Sequence, residues 1–354
     1  MEAALSVVRA LHFSATIVLF GQFAYVYCVS PGRAMPPRFR ATVGWSLGLA
    51  VATALAWLAI EASTMSGLPF GQALREGTAD VVLARTLFGH TWLVRGALAF
   101  LVCIALVAIG RRDDAPGSAC AVAAIGALLL LATLACAGHA AAGLGADRFY
   151  HVAADVLHLL AAGAWLGALV PLVALLRAID ARPSGEGMRL ASRAVARFSV
   201  LGVLCVGVLA LTGIVNACYA LHRLSDLSSS RYGQELAAKL CLVTFVVVLA
   251  AANRVRHTPR LSSPDPRLAH RALRSLAPTA FVEVVLGITF VLLVCFLRRG
   301  LIGGLRDLYA LAAERRHPPP PDEAPQFTAA PQPSASIGPA RRRRELPFSG
   351  PVIE

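Results

Sequence analysis

His151-Val-Ala-Ala-Asp155-Val-Leu-His158-Leu-Leu-Ala-Ala-Gly-Ala-Trp165-Leu-Gly167 opens an apolar segment that runs on to about Arg177. An α-helix needs about 20 predominantly apolar residues to cross the hydrocarbon core of a bilayer, and this segment is long enough. Three polar groups interrupt it. His151, Asp155 and His158 are spaced i, i+4, i+7, so they share one helix face. Ionisable groups are costly in an apolar helix, so they turn toward a partner, a cavity or an ion rather than lipid.

The rest of the chain has the same character. Of 354 residues, 57% are hydrophobic and only 15% charged, which excludes an ordinary soluble domain. Short alternating segments are absent, which excludes a transmembrane barrel. The fold class is an all-α polytopic membrane protein with about eight transmembrane helices, read at about 5–29, 43–63, 91–110, 119–139, 151–177, 194–218, 236–253 and 279–297. Turn residues punctuate the connections, as in Ser30-Pro31-Gly32 and Ser263-Pro264-Asp265-Pro266. Residues 70–90 make a longer connection with room for a short interfacial helix. The chain starts with Glu2 rather than a basic cluster, and its first apolar stretch is too long for a cleavable signal.

The net charge of +13 is almost wholly arginine, since Lys239 is the only lysine. The arginines lie between apolar runs and in the tail, so they report topology rather than a nucleic-acid partner. Sixteen fall in the loops after spans 1, 3, 5 and 7, and five in the loops after spans 2, 4 and 6. The odd loops are therefore read as cytoplasmic and the N-terminus as outside. Arg298 and Arg299, directly after span 8, run against that count. Residues 301–316 read as an interfacial helix, and 317–354, opening His317-Pro-Pro-Pro-Pro321, as a Pro-rich disordered tail. Eight cysteines form no CxxC pair, and Cys103, Cys205, Cys241 and Cys295 lie mid-span, so no disulfide framework is expected.

An internal repeat is visible. Leu11-His12-Phe-Ser-Ala15 leads to Phe20-Gly21, and Leu157-His158-Leu-Leu-Ala161 leads to Leu166-Gly167, both at an offset of 146 residues. Span 1 then matches span 5, and two parallel four-helix halves follow.

Histidines were not used to set the topology, so their placement is independent of it. His12, His90, His139, His151, His158 and His222, six of nine, fall on the outer side. Cys136 lies three residues before His139, Glu61 and Met65 are i, i+4 at the outer end of span 2, and Asn216 and Cys218 end span 6. Imidazole with thiolate or thioether suits copper, Cu(I) favouring sulfur and Cu(II) nitrogen. Asp155 is placed to orient a ligating imidazole, as carboxylates commonly do. Blander roles exist for each group: interfacial anchors for His90, His151 and His222, core packing for Cys136 and Met65, and pairing of Asp155 with Lys239 or Arg95. Trp165, Gly163 and Gly167 suit helix packing.

Several strings in order carry a resemblance: Gly138-His139-Ala140, Asp155-x-x-His158-Leu-Leu-Ala-Ala-x-x-Trp165-Leu-Gly167, Arg197-Phe198-Ser199, Thr212-Gly213-x-x-Asn216-Ala217, Tyr232-Gly233-x-x-Leu236-x-x-Lys239 and Asn253-Arg254. Together they resemble the CopD family of bacterial copper-resistance and copper-uptake membrane proteins, most strongly over 130–300. The resemblance implies eight inner-membrane helices, copper handling, and cooperation with a periplasmic copper carrier of the CopC type. Such a carrier is sometimes fused to the family; none precedes span 1 here, so a separate protein is the expected partner.

The expected activity is copper transport, not catalysis. Neither a P-loop nor an Asp-Lys-Thr-Gly-Thr phosphorylation motif is present, so transport is expected to be passive, gradient-coupled or driven by ligand exchange. The expected ligands are His12, His139 and His158, aided by His151 or Cys136, at a site between spans 1, 4 and 5. Asp155, Glu61, Met65 and Asn216 support it, and Glu283 is the inner polar step. Two rival readings are a copper sensor or assembly and handover factor, and a b-type haem electron carrier. The second needs paired histidines near both surfaces, and only His12 and His158 offer a pair.

Overall fold

A computed structural model describes residues 2–30, 32, 35–36, 38–109, 117–137, 145–220, 231–261, 263 and 265–296. The segments expected as an interfacial helix and a Pro-rich tail lie outside the described residues, as do His139 and His222. The described elements are all helical: α1 (Glu2–Ala24, continued by a π-helical turn Tyr25–Val29), α2 (Phe39–Ser66), α3 (Phe70–Arg75), α4 (Thr78–Arg85), α5 (Leu87–Ile109), α6 (Ser118–Ala132), α7 (Gly145–Ala181), α8 (Gly185–Ala220), α9 (Arg231–Leu261) and α10 (Pro266–Phe296). Seven of them are long and apolar enough to cross a bilayer, and α6 is a shorter apolar helix of 15 residues. The chain is an all-α polytopic membrane protein.

Three differences from the sequence reading have physical causes. The connection 70–90 holds two short helices, α3 and α4, joined through Gly77 at φ 66, a left-handed position that glycine occupies without strain. Helices α8, α9 and α10 overrun their apolar spans, so Arg189, Arg193, Arg197, Arg254, Arg256, Arg260, Arg267, Arg271 and Arg274 are helical rather than in loops. Arginine is a good helix former, so charge ends the membrane-compatible stretch without ending the helix. Helix α6 stops early because its last carbonyls are taken: Arg95 donates to Leu130 O at 2.8 Å, and Thr133 Oγ1 bonds back to the same oxygen at 2.9 Å. A cation at a helix C-terminus satisfies orphan carbonyls and suits the dipole.

Sequence neighbours pair as antiparallel hairpins. α1 lies against α2, α5 against α6, α7 against α8 and α9 against α10. The halves meet where α1 crosses α7. A Cβ built on Gly167 would sit 2.8 Å from Gly21 Cα and collide with the Ile17 carbonyl, and one on Gly21 would collide with the Gly167 backbone. Only glycine permits this approach. Gly21 and Gly167 are the equivalent positions of the repeat, so the two halves touch at matched residues. The core builds out from that crossing through Leu19, Phe23 and Val26 of α1 and its turn, and Leu169, Leu172 and Leu176 of α7.

Candidate functional site

Each half of the molecule carries a histidine on its first helix, His12 buried and His158 half-buried, and each is held the same way. His12 Nδ1 lies 2.9 Å from Thr53 Oγ1 and 3.0 Å from Ala50 O. The carbonyl can only accept, so Nδ1 carries the proton. Thr53 spends its own hydroxyl hydrogen on Leu49 O at 2.6 Å, which leaves its oxygen to accept. In the second half, His158 Nδ1 lies 2.9 Å from Thr212 Oγ1, and Thr212 donates to Val208 O at 2.7 Å. The same logic gives His158 the same Nδ1–H tautomer. Thr53 and Thr212 are each four residues after the carbonyl they bond, a local habit of threonine in helices.

What differs is the other ring nitrogen. His12 Nε2 accepts from the Arg95 guanidinium, which also donates to Leu130 O at 2.8 Å and Thr133 Oγ1 at 2.6 Å. The imidazole is 2% exposed and lies among Trp57 and Trp92, with ring centroids at 5.8 and 6.5 Å. Arg95 sits 5.5 Å from the Trp92 ring centre, and Arg9 4.9 Å from that of Trp57, as cation–π pairs. Arg9 also meets Glu61 Oε2 at 3.2 Å. Both ring nitrogens of His12 are thus taken from within, and a guanidinium stands where a metal would have to stand.

His158 Nε2 has no partner among the described residues. Gly213 faces the open edge of the ring, since a Cβ there would come within 3.8 Å of His158 Cε1. The stripe identified in the sequence forms one side of an antiparallel ladder between α7 and α8. His151 stacks on Tyr219 at 4.5 Å and 11°, Asn216 Nδ2 donates to Asp155 Oδ1 at 2.6 Å, and His158 bonds Thr212. Thr212, Asn216 and Tyr219 have the same i, i+4, i+7 spacing as their partners. That repeated spacing was the available signal for Thr212 and Tyr219, which the sequence reading did not assign. Asn216 Oδ1 is buried and lacks a hydrogen-bond partner among the described residues.

The other sequence-derived candidates are distributed as follows. His12 faces α2 and α5 rather than a site between spans 1, 4 and 5, because each first helix is covered by its own hairpin neighbour. Thr212, not Asp155, orients His158; Asp155 is held by Asn216 rather than by Lys239 or Arg95. Cys136 is exposed on the single turn Ala135–Ala137 beyond α6, and Met65 is exposed near the end of α2. Glu61 is committed to Arg9 and also accepts from Trp57 Nε1 at 3.2 Å. His90 makes only a 3.3 Å contact with Ala84 O. Among the described residues, no three His, Cys, Asp or Glu side chains are already gathered to hold an ion. His151 and His158 are two turns apart on α7, so a closed ligand set needs a further donor or a side-chain movement. Residues 138–144, with His139, lie outside the described residues. The seven described cysteines are free thiols.

Residues 1–149 match the family model described as copper resistance protein D-like, N-terminal domain, and residues 192–297 match copper resistance protein D. The chain belongs to the CopD family. It is 33% identical over 208 residues to "Copper resistance protein D" of Pseudomonas syringae pv. tomato, covering 58% of this chain and 66% of that one. It is 30% identical over 209 residues to "Copper transport protein CutJ" of Bacillus subtilis (strain 168), covering 59% of this chain. It is also 29% identical over 270 residues to "Inner membrane protein YebZ" of Escherichia coli (strain K12), covering 74% of this chain and 87% of that one. The chain thus spans 66% of the Pseudomonas relative's length and 37% of the Bacillus relative's. No solved structure matches. The two CopD-family matches flank the described site: α7, with His151, Asp155 and His158, lies almost wholly between them.

Proposed function

We propose that this CopD-family chain binds copper at the head of α7 and carries it across the bacterial inner membrane, with no covalent chemistry of its own. One observation carries the reading: His158 is held as the Nδ1–H tautomer by Thr212, with its Nε2 lone pair uncommitted among the described residues. A neutral imidazole with one fixed and one free nitrogen is the form in which histidine binds metals. The neighbouring donors fit the cargo. His151, the second Asp155 oxygen and Asn216 Oδ1, which has no partner among the described residues, offer nitrogen and oxygen, which favour Cu(II), while Cys136, with His139 three residues on in the sequence, would extend the set toward Cu(I).

The arginine asymmetry supports an N-terminus on the periplasmic side, which puts this face outward. A separate periplasmic carrier of the CopC type would then deliver copper there. Phe149 and Tyr150, exposed at the start of α7, offer such a carrier an apolar contact beside His151. His12 has a different role in this scheme: it anchors Arg95 and the first half-bundle.

Copper binding to the purified protein and uptake into proteoliposomes test the assignment. His158→Ala is expected to weaken binding by more than about 100-fold, since removal of even an outer-shell partner costs 10–100-fold. His12→Ala is expected to leave affinity within about threefold while lowering stability by roughly 3 kcal/mol, because Arg95 then loses a buried acceptor. A His158→Ala protein that binds and transports copper like wild type would sink the proposal. Binding that survives without uptake would instead support a handover role.

A further inference from the structure

A cavity of about 200 Å³ lies between α7, α8, α9 and α10, on the arginine-rich side of the second half-bundle. At ~30 Å³ per water it has room for about six molecules. Its walls are largely apolar, with Trp165 and Leu169 of α7 among them; its polar atoms come from Ser199, Asn253, Arg254, Thr258 and Glu283. Glu283 is 2% exposed on a membrane-spanning helix. A carboxyl in that position is strongly disfavoured unless something neutralises it.

No described side chain brings the balancing charge. The one hydrogen bond to Glu283 comes from Asn253 Nδ2 at 2.5 Å, and an amide carries no charge. Arg254 shares the cavity wall with Glu283, but no cation of the surrounding helices makes a described bond to that carboxyl. From α9, Arg254 donates to Ser199 O at 2.7 Å. From α7, Arg177 stacks 4.4 Å from the Phe281 ring centre, and Asp180 faces Arg274 and His270 of α10. From α8, Arg197 donates to Ser30 O at 3.0 Å. The charged residues of α1, Glu2 and Arg9, are at its opposite end. Pairing with an arginine is therefore not what holds Glu283 among the described residues. Ser199 Oγ, also in the cavity wall, is buried without a partner among the described residues.

We propose that this cavity is a binding site for a small monovalent cation, a proton or Na⁺, with Glu283 as the counter-charge and Asn253 and Ser199 as neutral oxygen donors. Carboxylate, amide and hydroxyl oxygens suit hard cations and give copper none of the nitrogen or sulfur it favours. The site is therefore distinct in chemistry from the imidazole face of α7, some two turns above Trp165. In a transporter without a nucleotide site it would supply the coupling ion. That role rests on the transport reading; the site itself does not.

The test uses the full chain in lipid bilayers without copper. Dicyclohexylcarbodiimide takes the proton from a neutral carboxyl, and the carboxylate adds to its central carbon as an O-acylisourea, whose acyl group then migrates from oxygen to nitrogen to leave a stable N-acylurea that mass spectrometry locates. We expect modification at Glu283, lost in Glu283→Gln, and falling at least fivefold between about pH 6 and about pH 9 as the carboxyl gives up its proton. Protection by Na⁺ but not by choline at fixed pH would identify sodium as the ion; pH dependence alone would identify the proton. The Ala280→Cys variant, with its thiol in the same wall, is expected to react with N-ethylmaleimide at that position. No reaction there would mean a closed cavity and overturn the proposal. So would a reactive thiol at that position beside an unmodified Glu283, or modification indifferent to both pH and Na⁺. Because no copper is present, failure here is separate from failure of the α7 site.

Discussion

His12 and His158 stand at equivalent positions of a repeat, and each gives its Nδ1–H to a threonine whose hydroxyl is bonded back along its own helix. One is closed and the other open. In the first half the guanidinium of Arg95 occupies the second ring nitrogen, and the acid Glu61 is paired with Arg9. In the second half the half-buried Asp155 and the buried Glu283 are each met by an asparagine amide, from Asn216 and Asn253. The repeat-equivalent of Arg9 is Asp155, so a positive charge in one half is a negative charge in the other. The first half meets Glu61 and His12 with its own cations; the second meets Asp155 and Glu283 with neutral amides, while Asp180 faces Arg274 and His270, and the carboxyls of Asp155 and Glu283 are suited to take cations from outside. One packing scheme thus supports a structural half and a binding half, and the difference comes from a few side chains, not from the backbone.

That comparison can be attacked at its hinge. If Arg95 is what closes the first pocket, Arg95→Met should open it. The variant is expected to lose about 3 kcal/mol, the cost typical of breaking a buried charged contact, and to gain a second, weaker copper equivalent that disappears on adding His12→Ala. Equilibrium dialysis with thermal unfolding reads both; a binding stoichiometry unchanged from wild type would mean that Arg95 is not the bar. Asp155→Asn asks whether charge matters in the second pocket. It keeps the shape but leaves two amides facing each other, and copper affinity should fall about tenfold, as for loss of an orienting group beside a metal ligand. The smallest effect tests the likeness of the halves. Thr53→Val and Thr212→Val should each cost about 1 kcal/mol of stability, the worth of one buried hydrogen bond, but only Thr212→Val should also weaken copper binding, by severalfold. Equal effects of the two on copper would erase the distinction between the halves.

Much of the architecture could be read from the chain alone. Hydropathy placed seven long helices and the shorter α6, because lipid imposes the same length and polarity on every span whatever its neighbours. The offset linking His12 to His158 also linked Gly21 to Gly167, and those glycines prove to be the crossing of α1 and α7. The stripe His151, Asp155, His158 was legible from helical periodicity. Its partners were less so. Thr212 and Asn216 stood in a string already singled out, but nothing in that string says which helix it faces. Arg95 was weighed as a partner for Asp155 and belongs to His12 instead.

The division between the two sources of knowledge follows from what each constraint acts on. Spacing along one helix is a property of the sequence, so the class of fold, the polar faces and the kinship of the two halves were determined by it alone. Which nitrogen of a buried imidazole is blocked depends on a residue 83 positions away, between Arg95 and His12. Whether a buried carboxyl meets a cation or an amide likewise depends on how helices rotate against one another. Only the tertiary structure decided those contacts, and they separate the closed pocket at His12 from the open one at His158.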